Sequence, residues 1–336
     1  MRTAVIMLSA VCSASLYAQA PGGRGNAPPP APATETVAPA IPGVVAAGTK
    51  VAIVKDGLRS SEGPILMPDG STLFTEPGAS RVYKIDKSGA MSVFIENTER
   101  ANGLALDSKG RLIATTADSI VVLHPAKEVL AKMPTRPNDL VIDKKDGIYF
   151  TLPSDKPSAV YYIPKGGKPM KLGEAASAHG IQLSPDEKTL YSADSSGEYL
   201  IAFDVQPDGK LTNKRNFGKY QGLPTPESHA DGIAVDSQGR VYVGIATGVQ
   251  VFSAKGEALG VIPTSQRPRT SRLPDRTRRR CISPAAARCF RSRCRHRGTQ
   301  AERSKTQTAG QGRRLTPLTW HQNDQRRPHG SFSSTN

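Results

Sequence analysis

Five segments of the chain repeat one order of polar and apolar positions. Each segment begins with a polar residue, continues as a short apolar strand, turns on polar or glycine residues and ends in a second apolar strand. The first residues of successive copies lie 40, 36, 41 and 52 positions apart. A hairpin repeated at this spacing is typical of propeller blades, so the pattern predicts an all-β propeller. The copies begin at Glu62, Asn102, Asn138, His179 and Asp231.

We call the polar first residues of the five copies the anchors. They are the candidate functional residues. They begin equivalent strands of a radial array, so we expect them to converge on the central channel. Glu62, which precedes Gly-Pro, and Asp231 have little structural use at such positions and therefore indicate a functional site. Asn102 also fits a cap of local backbone groups. Asp107 and Asp236 lie in the turns, where aspartate has a structural role.

Composition divides the chain into four parts. Residues 1–20 have the form of a secretory signal peptide, with Arg2, a short apolar run and a small-x-small cleavage site. Residues 21–47 are rich in Pro, Ala and Gly, which predicts a disordered linker. Residues 48–268 hold the repeats, about five blades, and residues 269–336 form an arginine-rich tail. We therefore expect an exported protein, periplasmic or secreted, with no membrane-spanning segment.

The positive charge of the chain is confined to its tail. Residues 1–263 hold 27 Lys and Arg against 26 Asp and Glu, a net charge of +1. Residues 264–336 hold 18 against 3, a net charge of +15, which accounts for the total of +16. The repeat region therefore gives no reason to expect nucleic acid as a partner. Every cysteine except Cys12 also lies in the tail, so the mature repeat region has no disulfide.

Three interpretations of the tail compete. In the first, it is a basic arm that binds nucleic acid or anionic lipid. In the second, it binds a metal through four residues whose spacing matches no standard zinc pattern: Cys281, Cys289, Cys294 and His296. In the third, it is translated out of frame. Back-translation of residues 270–305 with each codon begun one base earlier permits a sixth copy of the repeat, followed by a stop codon. We therefore predict that a one-base loss near Arg269 has removed the last blade.

Four segments of the repeat region carry the motifs of a known family: Ser61-Glu-Gly-Pro64, Arg136-Pro-Asn-Asp139, the run from Gly180 to Tyr191, and Ala230-Asp-Gly-Ile233. With them the chain resembles the gluconolactonase, regucalcin and senescence-marker-protein family of six-bladed β-propellers. The resemblance covers residues 50–263 and would cover six blades if the tail were read in the other frame. It implies a six-bladed propeller whose last blade is lost, and a metal-dependent hydrolase of a sugar lactone or a similar small lactone.

The resemblance also implies a divalent cation in the channel. Family members bind it through a glutamate, an asparagine and an aspartate, and Glu62 and Asp231 match the first and the last of these. Asn138 matches a family residue at the substrate and metal site. His179 stands where the family has its metal-binding asparagine. An imidazole binds zinc or manganese well, whereas calcium prefers oxygen, so calcium, zinc and manganese are all candidates.

The same resemblance implies roles in hydrolysis. Water that attacks a lactone builds negative charge on the carbonyl oxygen, which a metal ion stabilises. Asp231 is expected to be the general base as well as a metal ligand, and Arg136, Asn138 and Asn102 are expected to bind the substrate. Two alternatives stay open. One is a non-catalytic exported propeller that binds a sugar, a metal or a protein partner, and the other is a hydrolase of different esters or phosphoesters.

Overall fold

The computed structural model describes residues 33–265 except 56, 59 and 176, and the backbone of residues 282–285 and 288–291. The predicted signal peptide, residues 1–20, lies outside the described residues. So does the predicted tail, residues 269–336, apart from the backbone of those two short strands. Within the described part of the chain, no helix has the length and the apolar character that a membrane crossing requires.

Strands form nearly all the regular structure of the described chain, arranged in four-stranded antiparallel sheets. The first two are β1 (Thr36–Ala38) and β2 (Thr49–Ile53). Five blades of four consecutive strands follow. Blade I consists of β3 (Glu62–Leu66), β4 (Thr72–Glu76), β5 (Arg81–Ile85) and β6 (Met91–Ile95), and blade II of β7 (Leu104–Leu106), β8 (Leu112–Thr115), β9 (Ser119–His124) and β10 (Glu128–Lys132). Blade III consists of β11 (Leu140–Ile142), β12 (Ile148–Leu152), β13 (Ala159–Ile163) and β14 (Met170–Glu174), and blade IV of β15 (Ala178–Leu183), β16 (Thr189–Asp194), β17 (Tyr199–Val205) and β18 (Leu211–Lys219). Blade V consists of β19 (Ile233–Val235), β20 (Val241–Ile245), β21 (Gly248–Phe252) and β22 (Ala258–Pro263).

The all-β propeller predicted from the repeats is confirmed, with five blades rather than six. Each copy of the repeat forms the first two strands of one blade. A further sheet, in the order β1-β2-β24-β23, joins the two N-terminal strands to the backbone of β23 (Ile282–Ala285) and β24 (Arg288–Arg291). In this sheet β2 pairs with β24 at Ala52 and Ile53. The predicted loss of a sixth blade concerns residues outside the described part of the chain and stays a prediction.

The blades pack face to face, and this buries both faces of their central strands. All five residues of β12 are buried, as are all five residues of β4 and of β20. Between blades II and III, the core combines Ile113 and Ile120 with Leu140 and Phe150. A strand buried on both faces does not need to alternate between apolar and polar residues, so β12 and β20 are nearly continuous apolar runs in the sequence. β4 differs, because it also buries Thr72, Thr75 and Glu76. The propeller is therefore stabilised by apolar layers between blades.

Residues 33–47 are part of the fold, whereas composition predicted a disordered linker over residues 21–47. In this segment β1 pairs with β2, and Ala38 and Ile41 are almost completely buried. They pack against blade V in a cluster that includes Tyr242. The linker prediction is wrong for this segment, because its few apolar residues find a tertiary partner that local composition cannot reveal.

The turn of each repeat lies at the end of the blade opposite its anchor. Gly110 and Gly239 have φ angles of 74° and 76° there, which glycine adopts at no steric cost. In blade III the same position is Asp146, with a φ of 63°. Its carboxylate accepts hydrogen bonds from the Ser108 amide (2.8 Å) and hydroxyl (2.7 Å) in blade II. Lys165 and Ser108 hold the pKa of the Asp146 carboxyl well below its usual value, so an ionised side chain connects the two blades.

Candidate active site

The five anchors lie at the start of the innermost strands of their blades. These inner strands, β3, β7, β11, β15 and β19, are neighbours in this order. The backbone N–H groups of Asn102 and Asn138 donate to the carbonyl oxygens of Thr115 and Thr151, at 2.9 and 3.0 Å. Asp231 makes the equivalent bond to the second strand of blade V at 2.9 Å. Equivalent pairing in successive blades places the anchors at the same end of the channel.

The glycine that follows an anchor allows the next blade to approach closely. A Cβ atom at Gly63 would overlap the carbonyl oxygen of Asn102 and lie 2.8 Å from the nitrogen of Leu104. A Cβ atom at Gly180 would overlap the carbonyl oxygen of Asp231 and lie 2.6 Å from its carbonyl carbon. Because these neighbours are backbone atoms, a side chain has no room at either position. The glycines therefore hold successive anchors side by side.

Asn102 and Asn138 form a pair of amides. The Nδ2 atom of Asn102 donates to Oδ1 of Asn138 at 2.7 Å, and both side chains are half-buried. Arg136 is also half-buried and donates from one Nη atom to the carbonyl oxygen of Arg100 at 3.2 Å, two residues before Asn102. The structure thus brings together Arg136, Asn138 and Asn102, the three residues predicted to bind substrate.

Glu62 and Asp231 are the two carboxylates among the anchors, and both are buried. Their exposed fractions are 6% and 9%. Moving a carboxylate out of water costs free energy unless the charge is balanced, so buried carboxylates at the channel indicate a functional role. The pairing of β3 with β4 is irregular here, since Glu62 opposes Thr75 and regular pairing resumes only at Ile65. A bulge of this kind changes the direction of a side chain relative to its strand.

His179 is held by the main chain two residues earlier. Its Nδ1 atom lies 3.2 Å from the carbonyl oxygen of Ser177 and 3.3 Å from the hydroxyl oxygen of the same residue. A carbonyl oxygen only accepts, so the bond to it requires the hydrogen on Nδ1, and in the neutral imidazole the lone pair is then on Nε2. Ser177 is itself fixed, because its backbone N–H donates to Oδ1 of the buried Asp194 at 3.1 Å. The imidazole of His179 is therefore oriented by its own blade.

Donors for a metal ion are present at the anchors. Among the described residues, however, no three His, Cys, Asp or Glu side chains lie close enough together to hold an ion. Glu62, His179 and Asp231, all predicted ligands, do not form such a group by themselves. Calcium and magnesium bind oxygen ligands such as the carboxylates of Glu62 and Asp231 and the amide oxygen of Asn138, with water completing the coordination. The chemistry of these three residues fits a hard divalent cation.

The neighbouring residues Ser228 and His229 do not form a catalytic triad with Asp231. The hydroxyl of Ser228 is buried and donates to the carbonyl oxygen of Asp194 at 2.8 Å. The Nε2 atom of His229 lies 3.8 Å from a carboxylate oxygen of Glu227, and both of these side chains are exposed. Ser228 thus has its partner at the end of β16 and His229 has its partner in the loop before β19, and the geometry of a triad is not formed.

The turn aspartates have the structural role predicted from the sequence. Asp107 accepts the backbone N–H of Arg111 at 2.8 Å, and Asp236 accepts the backbone N–H of Arg240 at 3.0 Å. Each aspartate also accepts the Nε hydrogen of the same arginine, at 2.7 and 2.6 Å. These bonds close the hairpin turns at the ends of the blades opposite the anchors, which is the structural role that the sequence predicts for aspartate in a turn.

Three buried threonines contact the anchors and were not predicted from the sequence. Each lies 13 positions after the anchor of its own blade, and its hydroxyl donates to the carbonyl oxygen of the anchor in the next blade. They are Thr75, Thr115 and Thr151. The constant spacing is a usable signal only when all copies are aligned, because a single threonine in a strand is an ordinary β-former.

The fold and the anchors together define the class of the protein. It is a propeller whose polar side chains, including two buried carboxylates, gather at one end of the central channel, in an arrangement suited to a small polar ligand. The sequence model of a protein family, the SMP-30/Gluconolactonase/LRE-like region, matches residues 50–273. The chain belongs to this family, and the resemblance predicted from its motifs is confirmed.

Known proteins of this family are similar to the chain along most of their length. It is 25% identical to the gluconolactonase of Zymomonas mobilis over 274 residues, which cover 67% of this chain and 75% of that protein. A solved gluconolactonase from Xanthomonas campestris matches with a TM-score of 0.68 and 23% identity, over 80% of this chain and 95% of that one. A calcium-binding protein, regucalcin, from Agrobacterium tumefaciens matches with a TM-score of 0.63 and 16% identity, over 72% and 93%. The two structures share the propeller fold.

Proposed function

We propose that this protein hydrolyses a sugar lactone or a similar small lactone with the help of a divalent cation. The observation that carries the proposal is the pair of buried carboxylates, Glu62 and Asp231, at the end of the channel that also holds the amides of Asn102 and Asn138. The similarity to a gluconolactonase supports a lactone as the substrate class. Membership of the family adds support, since the description of the family names a gluconolactonase.

Hydrolysis of a lactone needs a nucleophilic water and an oriented carbonyl group. Asp231 takes the proton of the attacking water as general base, a step that contributes about 10²–10⁴-fold to the rate. Arg136 and the amides of Asn102 and Asn138 donate hydrogen bonds to the oxygen atoms of the lactone and orient it toward the water. When the ring C–O bond breaks, the proton returns from Asp231 to the ring oxygen, and the product is the open hydroxy acid.

We assign the cation to Glu62, Asp231 and Asn138, with His179 as a further predicted ligand. When bound, a divalent cation stabilises negative charge on the lactone carbonyl oxygen as a Lewis acid. The similarity to a regucalcin described as calcium-binding supports calcium. The lone pair on Nε2 of His179 is a nitrogen donor and favours zinc or manganese instead.

Removal and replacement of the metal tests this function on the purified chain. After treatment with a chelator, we expect turnover of a panel of aldonolactones to fall to background and to return with calcium, zinc or manganese. The activating ion, at about 100 times its Kd, is expected to add about 2.7 kcal/mol of stability. That is a rise in Tm of roughly 5–10 °C for a domain of this size. Turnover is followed by acid release and Tm by fluorimetry.

The outcomes separate the alternatives. An ion that raises Tm while no lactone or ester is hydrolysed would favour the non-catalytic propeller. Turnover of esters or phosphoesters without turnover of lactones would favour the other class of hydrolase. Lactone turnover that survives complete removal of metal would contradict the role of the cation.

We further propose that a one-base shift near Arg269 has removed the closing blade and impairs the activity of this chain. The match to the family ends at residue 273, close to the proposed shift, which supports the proposal. A propeller that is not closed by its terminal strands exposes strand edges and the apolar layers between blades. Sequencing the gene across codons 260–310 tests the shift. An additional base near codon 269 would restore a sixth repeat, and an unchanged reading frame would contradict the proposal.

A further inference from the structure

The hydroxyl of Thr115 connects two anchors of neighbouring blades. Thr115 is fully buried, and its Oγ1 atom accepts the N–H of Gly103 at 2.9 Å and donates to the carbonyl oxygen of Asn138 at 2.6 Å. The Gly103 N–H also donates directly to the same carbonyl oxygen at 3.1 Å. One hydroxyl therefore ties the main chain just after Asn102, in blade II, to the main chain of Asn138, in blade III.

Thr151 repeats this connection one blade further along. Its hydroxyl accepts the N–H of Asp139 at 3.2 Å and donates to the carbonyl oxygen of His179 at 2.5 Å. Thr75 begins the series, since its hydroxyl donates to the carbonyl oxygen of Asn102 at 2.8 Å. The three hydroxyls occupy the same place in three successive blades, and each fixes the main chain of the anchor that follows.

The series changes where it would reach Asp231. The residue 13 positions after His179 is Ser192, which is buried and whose hydroxyl has no hydrogen-bond partner within the described part of the chain. The hydroxyl of Ser195 donates instead to the carbonyl oxygen of Ala230, the residue before Asp231. Asp231 is thus held differently from the three anchors that precede it.

We infer that Thr115 and Thr151 are positioning residues for the binding of the lactone and the cation. Their hydroxyls fix the positions of Asn102, Asn138 and His179 relative to one another. The inference rests on the proposed function, because it gives these threonines a role beyond the fold. An anchor whose carbonyl group moves carries its side chain with it, and a displacement of about 1 Å lowers the rate about 100-fold. A hydroxyl is needed at these positions because it accepts and donates at once, which no apolar side chain of the same size does.

Thr115→Val tests the inference, with Thr116→Val as its matched control. Thr116 is the next residue along the chain and equally buried, but its hydroxyl donates to the carbonyl oxygen of Ser119 within its own blade, at 3.3 Å. We expect Thr115→Val to lower kcat/KM for the lactone roughly 10- to 100-fold, with a loss in kcat as well as a rise in KM. Thr116→Val is expected to lower Tm to a similar extent without this loss, and Thr115→Ser should restore activity.

Two kinetic results would overturn the inference. One is an equal loss of kcat/KM in Thr115→Val and Thr116→Val, which would show that only the stability of the blade matters. The other is a Thr115→Ser protein as inactive as Thr115→Val, because the hydroxyl would then not be the group required. If Thr115→Val does not fold, Thr151→Val gives the same comparison for Asn138 and His179, with the same control.

Hydrogen exchange separates a failure of this inference from a failure of the proposed function, because it needs no substrate. The Gly103 amide is expected to exchange roughly 3- to 10-fold faster in Thr115→Val and at an unchanged rate in Thr115→Ser and Thr116→Val. If exchange changes in this way while the wild type hydrolyses no lactone, the positioning of the anchors is supported and the lactonase function is refuted. Equal exchange in all four proteins would overturn the inference whatever the activity.

Discussion

Asp231→Asn is expected to lower lactone turnover about 10²–10⁴-fold while the propeller remains folded. The amide has nearly the shape of the carboxylate, but it cannot take a proton from water and brings no negative charge to a cation. The side chain is buried at the channel, and the bond from the Asp231 N–H to the carbonyl oxygen of Gly244 does not depend on it. We therefore expect kcat to fall much more than Tm. Steady-state kinetics and thermal unfolding of the same preparations measure both quantities.

Asp236→Asn is the matched control for this experiment. Asp236 lies in the same blade, at the end opposite the anchors, and its carboxylate accepts hydrogen bonds from Arg240. Its replacement removes the same charge and is expected to lower Tm while turnover stays close to that of the wild type. If the two variants lost turnover equally, the cause would be the stability of blade V. Full turnover by Asp231→Asn would exclude Asp231 as the general base.

Gly180→Ala is expected to destabilise the propeller and to remove its activity. The new Cβ atom would overlap the carbonyl oxygen of Asp231 and lie 2.9 Å from the Cα atom of Gly232. No change of rotamer relieves contacts with backbone atoms, so blades IV and V must move apart. Overpacking of this kind costs about 1–3 kcal/mol, and a shift of Asp231 by about 1 Å lowers the rate about 100-fold. Turnover should therefore fall by more than the loss of folded protein explains.

Gly78→Ala controls for the substitution itself. A Cβ atom at Gly78 would meet no heavy atom within 4 Å, so the alanine fits without strain. We expect unchanged turnover and a Tm equal to or slightly above that of the wild type, since alanine restricts the unfolded chain. Thermal unfolding and lactone kinetics are measured on both variants. Wild-type stability and turnover in Gly180→Ala would show that the close approach at Gly180 does not hold Asp231 in place.

The sequence by itself determined the blades and pointed to the two carboxylates of the candidate site. Each blade begins with a hairpin in which anchor, strand, turn and second strand follow one another within a short stretch of chain, so the information is local and the repetition makes it unambiguous. Asp107 and Asp236 were assigned to turns for the same reason. Glu62 and Asp231 stood out because a carboxylate at the start of an inner strand has little structural use there.

Only the tertiary structure decided how the blades are joined and how the anchors are held. The bond from Thr115 to Asn138 and the contact of Gly180 with Asp231 each cross from one blade to the next. The N-terminal segment that composition assigned to a linker is packed on blade V, and Thr36 donates to a carbonyl oxygen 227 positions away. Such contacts are made by residues that are ordinary in their own stretch of sequence, because their partners are defined only when the blades stack around the channel.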